Sequence, residues 1–190
     1  FIEDDCRELR AICAKARTLV RQQGVKLITL DFIQLVECSD MGRSQWDRVS
    51  AVSYASKTLK GLSLELGVPV LALSQLSRAP ESGNREPTLA DLRDSGSLEQ
   101  DASKVLMVWK DKKRAKELEE QKRGRTKQLR PVWVDLQKHK DGQTSRIPFW
   151  LRPHYFFFEE AQQDPRRPDD HFIDPGDEAV EDIEGEEIEL

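Results

Sequence analysis

Two short apolar runs, each closed by a polar side chain, set the tightest limit on how this chain can fold. Residues 26–31 read KLITLD and residues 70–75 read VLALSQ. Both have the length and apolar character of buried strands. Between them a polar loop at 37–43 leads to Ser44, a candidate N-cap. Val49, Val52, Leu59, Leu62 and Leu66 then recur at helical intervals up to Gly67. Ahead of the first run, Leu9, Ile12, Cys13, Ala16, Leu19 and Val20 follow the same spacing. Asp5 with Glu8 offers a variant capping box there, and Gly24 offers the C-terminal stop. A third apolar run, residues 105–109, follows the segment at 91–102. This alternation predicts an α/β fold with a parallel sheet, strands 27–31 and 70–74 being neighbours joined through a helix at 46–66. Asp31 and Gln75 then share one sheet edge.

The rest of the chain reads differently. Residues 77–88 are loop-like, with two prolines and one glycine. Residues 131–140 and 144–151 flank Asp141-Gly142, a hairpin signal of the type I′ kind, which needs positive φ at both central residues. Residues 154–158 form an apolar patch expected to pack down, with order fading after Glu160. Trp109, Trp133 and Trp150 fall on expected strands, which assigns them to core packing rather than base stacking.

Charge is unevenly placed. The net charge is -5, yet residues 159–190 hold 14 acidic and 2 basic side chains, leaving residues 1–158 at +7. A basic body suits a phosphate-bearing partner, and the tail reads as solvated, disordered chain. Residues 110–130 contain 10 basic and 4 acidic residues, a run that usually means a solvated surface. The cysteines, Cys6, Cys13 and Cys38, are odd in number and lack metal-ligand spacing, as expected of a reducing, cytoplasmic setting. His139, His154 and His171 form no metal cluster by spacing. The most apolar run, 27–36, is far too short to span a bilayer, so no membrane partner is expected. A chain starting at Phe1 rather than Met also fits a fragment.

Four segments carry chemistry. Asp31 sits where an apolar strand delivers a carboxylate to the ligand-binding edge of an open sheet. In P-loop NTPases such an Asp holds Mg²⁺, usually through water. Gln75 closes the second strand with an amide that can hydrogen-bond a phosphate oxygen at one end and a loop at the other. The third segment, DLRDSGSLEQDA at 91–102, combines Arg93 and Asp94 with Gly96, whose missing side chain lets backbone amides approach a phosphate. The fourth is Lys138-His139-Lys140 ahead of Asp141-Gly142, a basic hairpin tip.

Taken together, these segments closely resemble the DnaB-type replicative DNA helicases over residues 1–158. The most specific element is the run at 91–102. The resemblance implies a partial RecA-like P-loop NTPase core, with a mostly parallel sheet, flanking helices and a C-terminal antiparallel hairpin. It implies an ATP-dependent helicase that unwinds duplex DNA as a hexameric ring moving on single-stranded DNA. ATP and Mg²⁺ are the implied cofactors, and primase and a helicase loader are further implied partners. Under this resemblance Asp31 positions Mg²⁺, and Gln75 senses the γ-phosphate. Arg93, Asp94 and Gly96 meet the DNA backbone, while Lys138 and Lys140 complete the neighbouring subunit's site. Lys140 stands where the family usually has Arg, so charge is kept but the two-donor fork is lost.

No G-x-x-x-x-G-K-[ST] occurs in the 190 residues, and the resemblance places the water-polarising acid upstream as well. The isolated chain is therefore expected not to hydrolyse ATP. Two rival readings remain: a non-catalytic remnant that binds DNA or helicase subunits, and another RecA-like ATPase such as a recombinase or clock-type protein.

Overall fold

The computed structural model describes residues 1–39, 47–83, 85–92, 96–110, 112 and 130–161. The chain divides into two compact units, Phe1–Val105 and Leu106–Leu190.

The first unit begins with α1 (Leu9–Gln23), which buries Leu9, Cys13 and Ala16 along one stripe. Its cap is Glu8, not Asp5: the Glu8 carboxylate accepts from the Ala11 N–H at 2.9 Å. The helix cannot start earlier because residues 7 and 8 are engaged in a parallel bridge. Leu9 N–H donates to the Glu37 carbonyl at 2.9 Å, and Glu37 N–H donates to the Arg7 carbonyl at 2.8 Å. Gly24 ends the helix at φ 66°, a left-handed conformation that favours glycine.

β1 (Ile28–Leu30) follows, and then α2 (Arg48–Leu66), two residues later than the spacing predicts. Its cap is Asp47, whose carboxylate accepts from Ser50 N–H at 2.6 Å. Ser44 lies outside the described residues. The helix buries Val52, Ala55, Ser56, Leu59 and Leu62, leaves Val49 exposed, and stops at Gly67 with φ 64°. β2 (Val70–Ala72) pairs with β1 in parallel, with Ile28 opposite Val70 and Leu30 opposite Ala72. This is the neighbour relation that the strand–helix–strand alternation predicts.

The expectation of strands buried on both faces is corrected. Ile28, Leu30 and Val70 pack against the core built from α1 and α2. Leu27, Leu71 and Leu73, in contrast, are 52%, 48% and 45% exposed. Alternation along a strand sends successive side chains to opposite faces, and the helical layer covers one of them.

The stretch expected as plain loop contains a short helical turn, α3 (Ala79–Ser82). A 3-10 turn follows at Leu89–Asp91, and then α4 (Gly96–Asp101). A polar ladder fastens this last segment to α2. Ser97 Oγ bonds Ser53 Oγ at 2.8 Å, Ser56 Oγ donates to Asp101 Oδ2 at 2.7 Å, and Lys60 Nζ donates to Ser103 Oγ at 2.6 Å.

The second unit is a sheet. β3 (Lys104–Lys110), β4 (Arg130–His139), β5 (Ser145–Arg152) and β6 (Phe157–Glu160) lie in that order among the described residues. The third apolar run thus joins β4 rather than β1 and β2. β4 with β5 and β5 with β6 are antiparallel. Trp133 and Trp150 are each 1% exposed, and Trp109 packs against them, so these three tryptophans belong to the core. The run at 111 and 113–129 and the tail at 162–190 lie outside the described residues.

Two expectations in this unit are corrected. The β4–β5 turn is not type I′. Five residues, 140–144, separate the strands, and Gly142 is not among the glycines with positive φ. Connections of that length are usually built on turns with negative φ. A Cβ at Gly142 would stand 2.5 Å from the His139 ring, so a larger residue there would make the imidazole move aside. Residues 154–158 do not pack down either. Tyr155 and Phe156 are 80% and 87% exposed on the β5–β6 turn, and Phe157 and Phe158 lie half-exposed on an edge strand.

One buried charge organises the sheet. Asp135, 3% exposed, accepts from Arg146 Nε at 2.8 Å, Arg146 Nη2 at 3.0 Å and Trp109 Nε1 at 2.9 Å. The Arg146 guanidinium also lies 5.5 Å from the Trp109 ring centre and 5.2 Å from that of Trp133. Asp135→Ala should cost roughly 2–3 kcal/mol, because it leaves a half-exposed guanidinium and an indole N–H without their acceptor. Urea unfolding followed by tryptophan fluorescence measures this, and an unchanged midpoint would remove the cluster as a stabilising element. Among the described residues, no helix is long and apolar enough to cross a membrane.

Candidate functional site

Parallel pairing brings the ends of β1 and β2 to one edge of the sheet. Asp31 follows Leu30 directly, and Gln75 lies three residues past Ala72. Backbone pairing continues a short way beyond the strands. Leu73 N–H donates to the Leu30 carbonyl at 2.9 Å, and Ile33 N–H donates to the Leu73 carbonyl at 2.9 Å. A 3-10 turn at Ile33–Leu35 then sets Gln34 beside the end of β2. Gln34 Nε2 donates to Ser74 Oγ at 2.9 Å, and Gln75 N–H donates to Gln34 Oε1 at 3.3 Å. Asp31 and Gln75 are both exposed, so carboxylate and amide stand open to a ligand at the same edge.

The donor chemistry suits a magnesium nucleotide. Mg²⁺ is a hard cation that keeps several waters and takes one or two carboxylates plus substrate phosphates, not an all-protein cage. Among the described residues no group of three or more His, Cys, Asp or Glu could hold a metal, and Asp31 supplies a single exposed oxygen donor set.

The segment after Gln75 connects this edge to the start of the run at 91–102. Leu76 bridges Leu92 in antiparallel fashion, and Ser77 N–H donates to the Asp91 carbonyl at 2.8 Å. Asp91 is the fixed point. Arg85 grips its carboxylate with two 2.7 Å bonds, one to each oxygen. Thr88 adds its N–H at 2.8 Å and its hydroxyl at 3.0 Å, completing a capping box. The Arg85 guanidinium is the main reason the Asp91 carboxyl lies well below the usual carboxylate range, with Thr88 helping.

A group whose pKa is depressed by folding contributes stability above its unfolded value, about 4 for Asp, and loses it as pH falls through the folded value. Carboxyl NMR of Asp91 should therefore show no titration near pH 4, and Arg85→Gln should move the transition back toward that range. Ordinary titration in the unmodified chain would end the clamp assignment.

Of the other expected site residues, Gly96 opens α4, while Arg93 and Asp94 lie outside the described residues. Lys138 is half-buried on β4. Lys140 is exposed and already in the turn, so strand alternation does not set its direction. His139 folds over that turn, its Nδ1 3.3 Å from the Gln143 carbonyl. Sequence reasoning missed Gln34, which meets both the Gln75 N–H and Ser74 Oγ, and the Arg85–Asp91 clamp. Only the Thr88-x-x-Asp91 spacing carried a readable signal.

Comparison with known proteins finds similar chains among replicative DNA helicases. The chain is 44% identical over 111 residues to the replicative DNA helicase DnaB of Geobacillus stearothermophilus, covering 57% of this chain and 24% of that one. It is 35% identical over 176 residues to the replicative DNA helicase DnaC of Bacillus subtilis, covering 91% of this chain and 36% of that one. A solved ATPase domain superposes with a TM-score of 0.66 at 29% identity, over 82% of this chain and 52% of that one. A DnaB-like replicative helicase solved in a study of its interactions with primase gives 0.65 at 29%, over 83% of this chain and 36% of that one. The chain thus spans about a quarter to a third of the helicases' length. The family model described as the DnaB-like helicase C terminal domain matches residues 1–160, and the chain belongs to that family.

Proposed function

We infer that this chain is the later part of the ATPase core of a replicative DNA helicase, working as a hexameric ring on single-stranded DNA. The observation that carries this reading is the shared sheet edge of Asp31 and Gln75, followed by the Leu76–Leu92 bridge that leads in sequence to Arg93. Within it, Asp31 holds Mg²⁺ through water and Gln75 meets the γ-phosphate of ATP. Magnesium supplies charge neutralisation on the phosphates. Arg93, Asp94 and Gly96 contact the DNA backbone, and Lys138 and Lys140 reach the site of the next subunit. Residues beyond β6 form an acidic tail. Primase and a helicase loader are the expected protein partners, the first supported by the relative studied with primase, and a cytoplasmic setting is part of the same proposal.

Because residues 76 and 77 are joined by backbone pairing to Leu92 and Asp91, a change in the phosphate contact of Gln75 can shift the segment that leads to Arg93 and draw DNA along. The test is Arg93→Ala in the complete helicase. Loss of a phosphate contact should weaken single-strand binding and make the log–log salt slope shallower by about 0.7. ATP use should continue with unwinding lost. Unchanged affinity with an unchanged slope would take Arg93 out of the DNA site.

A further inference from the structure

The backbone ladder between β1 and β2 stops at Leu73, two residues short of Gln75. Ser74 and Gln75 are instead held by one side chain, Gln34. Its amide uses both ends. The Gln75 N–H requires an acceptor, which pins Gln34 Oε1 to it at 3.3 Å and turns Nε2 toward Ser74 Oγ at 2.9 Å. Gln34 itself is fixed from below, since Ile33 is 1% exposed in the core and its N–H donates to Leu73. The 3-10 turn that presents Gln34 starts two residues after Asp31. A displacement at the Asp31 end therefore reaches Gln75 through this amide, and one residue further on lies Leu76, bridged to Leu92.

We propose that Gln34 is a positioning residue that sets the place of Gln75 relative to Asp31, so that the sensing amide and the metal-holding carboxylate engage the same nucleotide together. The proposal rests on the helicase reading above and extends it to a residue that touches neither phosphate nor metal. Its chemistry is specific. A primary amide gives one acceptor and one donor from a single rigid plane, matching a backbone N–H and a hydroxyl at adjacent residues. Leucine fills nearly the same volume and can do neither.

Two measurements test it. On this chain, Gln34→Leu should speed hydrogen exchange at the Gln75 amide by about tenfold or more, with Leu73 N–H unchanged because its partner is the Leu30 carbonyl. Equal exchange at Gln75 in both forms would overturn the clamp. In the complete helicase, Gln34→Leu should lower kcat for ATP by about ten- to a hundredfold with little change in KM. Ser74→Ala removes one arm and should give a smaller loss, which Ser74→Thr, keeping the hydroxyl, should restore.

The decisive comparison is made in a Gln75→Ala background. If Gln34 acts through Gln75, adding Gln34→Leu there should change turnover by less than about twofold, whereas independent structural damage would multiply the two losses. Multiplied losses, or failure of Ser74→Thr to restore turnover, would overturn the positioning role alone. Full turnover by Gln75→Ala itself would instead remove the helicase site reading on which the proposal stands.

Discussion

Asp31→Asn in the complete helicase is expected to cut ATP turnover by about a hundredfold or more while leaving the ring assembled and able to bind single-stranded DNA. The substitution keeps the shape of the side chain and removes one negative charge. At the end of β1 that charge is exposed and belongs to the edge shared with Gln75. Asp31 would hold the magnesium of a bound nucleotide with a hard anionic oxygen, a role that a neutral amide oxygen would fill poorly. The defect should be partly relieved by raised Mg²⁺ concentration, because weakened metal binding obeys mass action, whereas a folding defect would not respond. Wild-type turnover by Asp31→Asn at ordinary Mg²⁺ would show that the carboxylate is not in the nucleotide site.

The parts of the fold legible in the sequence were those encoded by local periodicity and by single punctuating residues. Gly24 and Gly67 marked helix ends because a left-handed residue must follow the last turn, and both adopt φ near 65°. The β4–β5 hairpin was legible for the same reason, although its turn chemistry was misread. The His139 ring instead lies close over Gly142, a contact between residues three apart that a dipeptide rule does not contain. Caps were less legible. Asp5 and Ser44 have capping chemistry, but the bridge to Glu37 prevents the first helix from reaching back that far. Asp47 stands immediately before α2 with a 2.6 Å bond. In the first helix, tertiary pairing decided which capable residue was used.

The site divides along similar lines. Asp31 and Gln75 could be placed together because each ends an apolar run, and parallel strands carry their C-terminal ends to one side. The partners that hold them could not. Gln34 meets Ser74 across 40 residues of sequence, and Arg85 meets Asp91 through a loop with no repeating pattern. Such pairs are set by the close approach of two segments, which no window along the chain reports. Burial of aromatic side chains was likewise misjudged at 155–158, since apolar character alone does not tell a core strand from an edge strand and its turn.

The remaining large effect concerns the basic hairpin tip. Lys140→Ala in the complete helicase is expected to lower ATP turnover by about a thousandfold while leaving ATP binding nearly intact, if the tip completes the neighbouring subunit's site. Lys140 is exposed at the first turn position after β4, which makes it the residue of the pair best able to extend away from the sheet. Lys138, half-buried on the strand, is the less mobile support. Lysine offers a point charge to a phosphate rather than a two-donor fork, so Lys140→Arg should keep turnover or raise it. Mixed rings separate action across the subunit boundary from action within it. Alone, Lys140→Ala and Gln75→Ala rings should each keep only a small residual turnover. Combining them forms some boundaries in which an intact Gln75 meets an intact Lys140, and turnover should partly return. A solvated hairpin with no role at the site would leave Lys140→Ala at wild-type turnover. A role confined to its own subunit would abolish activity without rescue in mixed rings, because no boundary would then supply the missing charge.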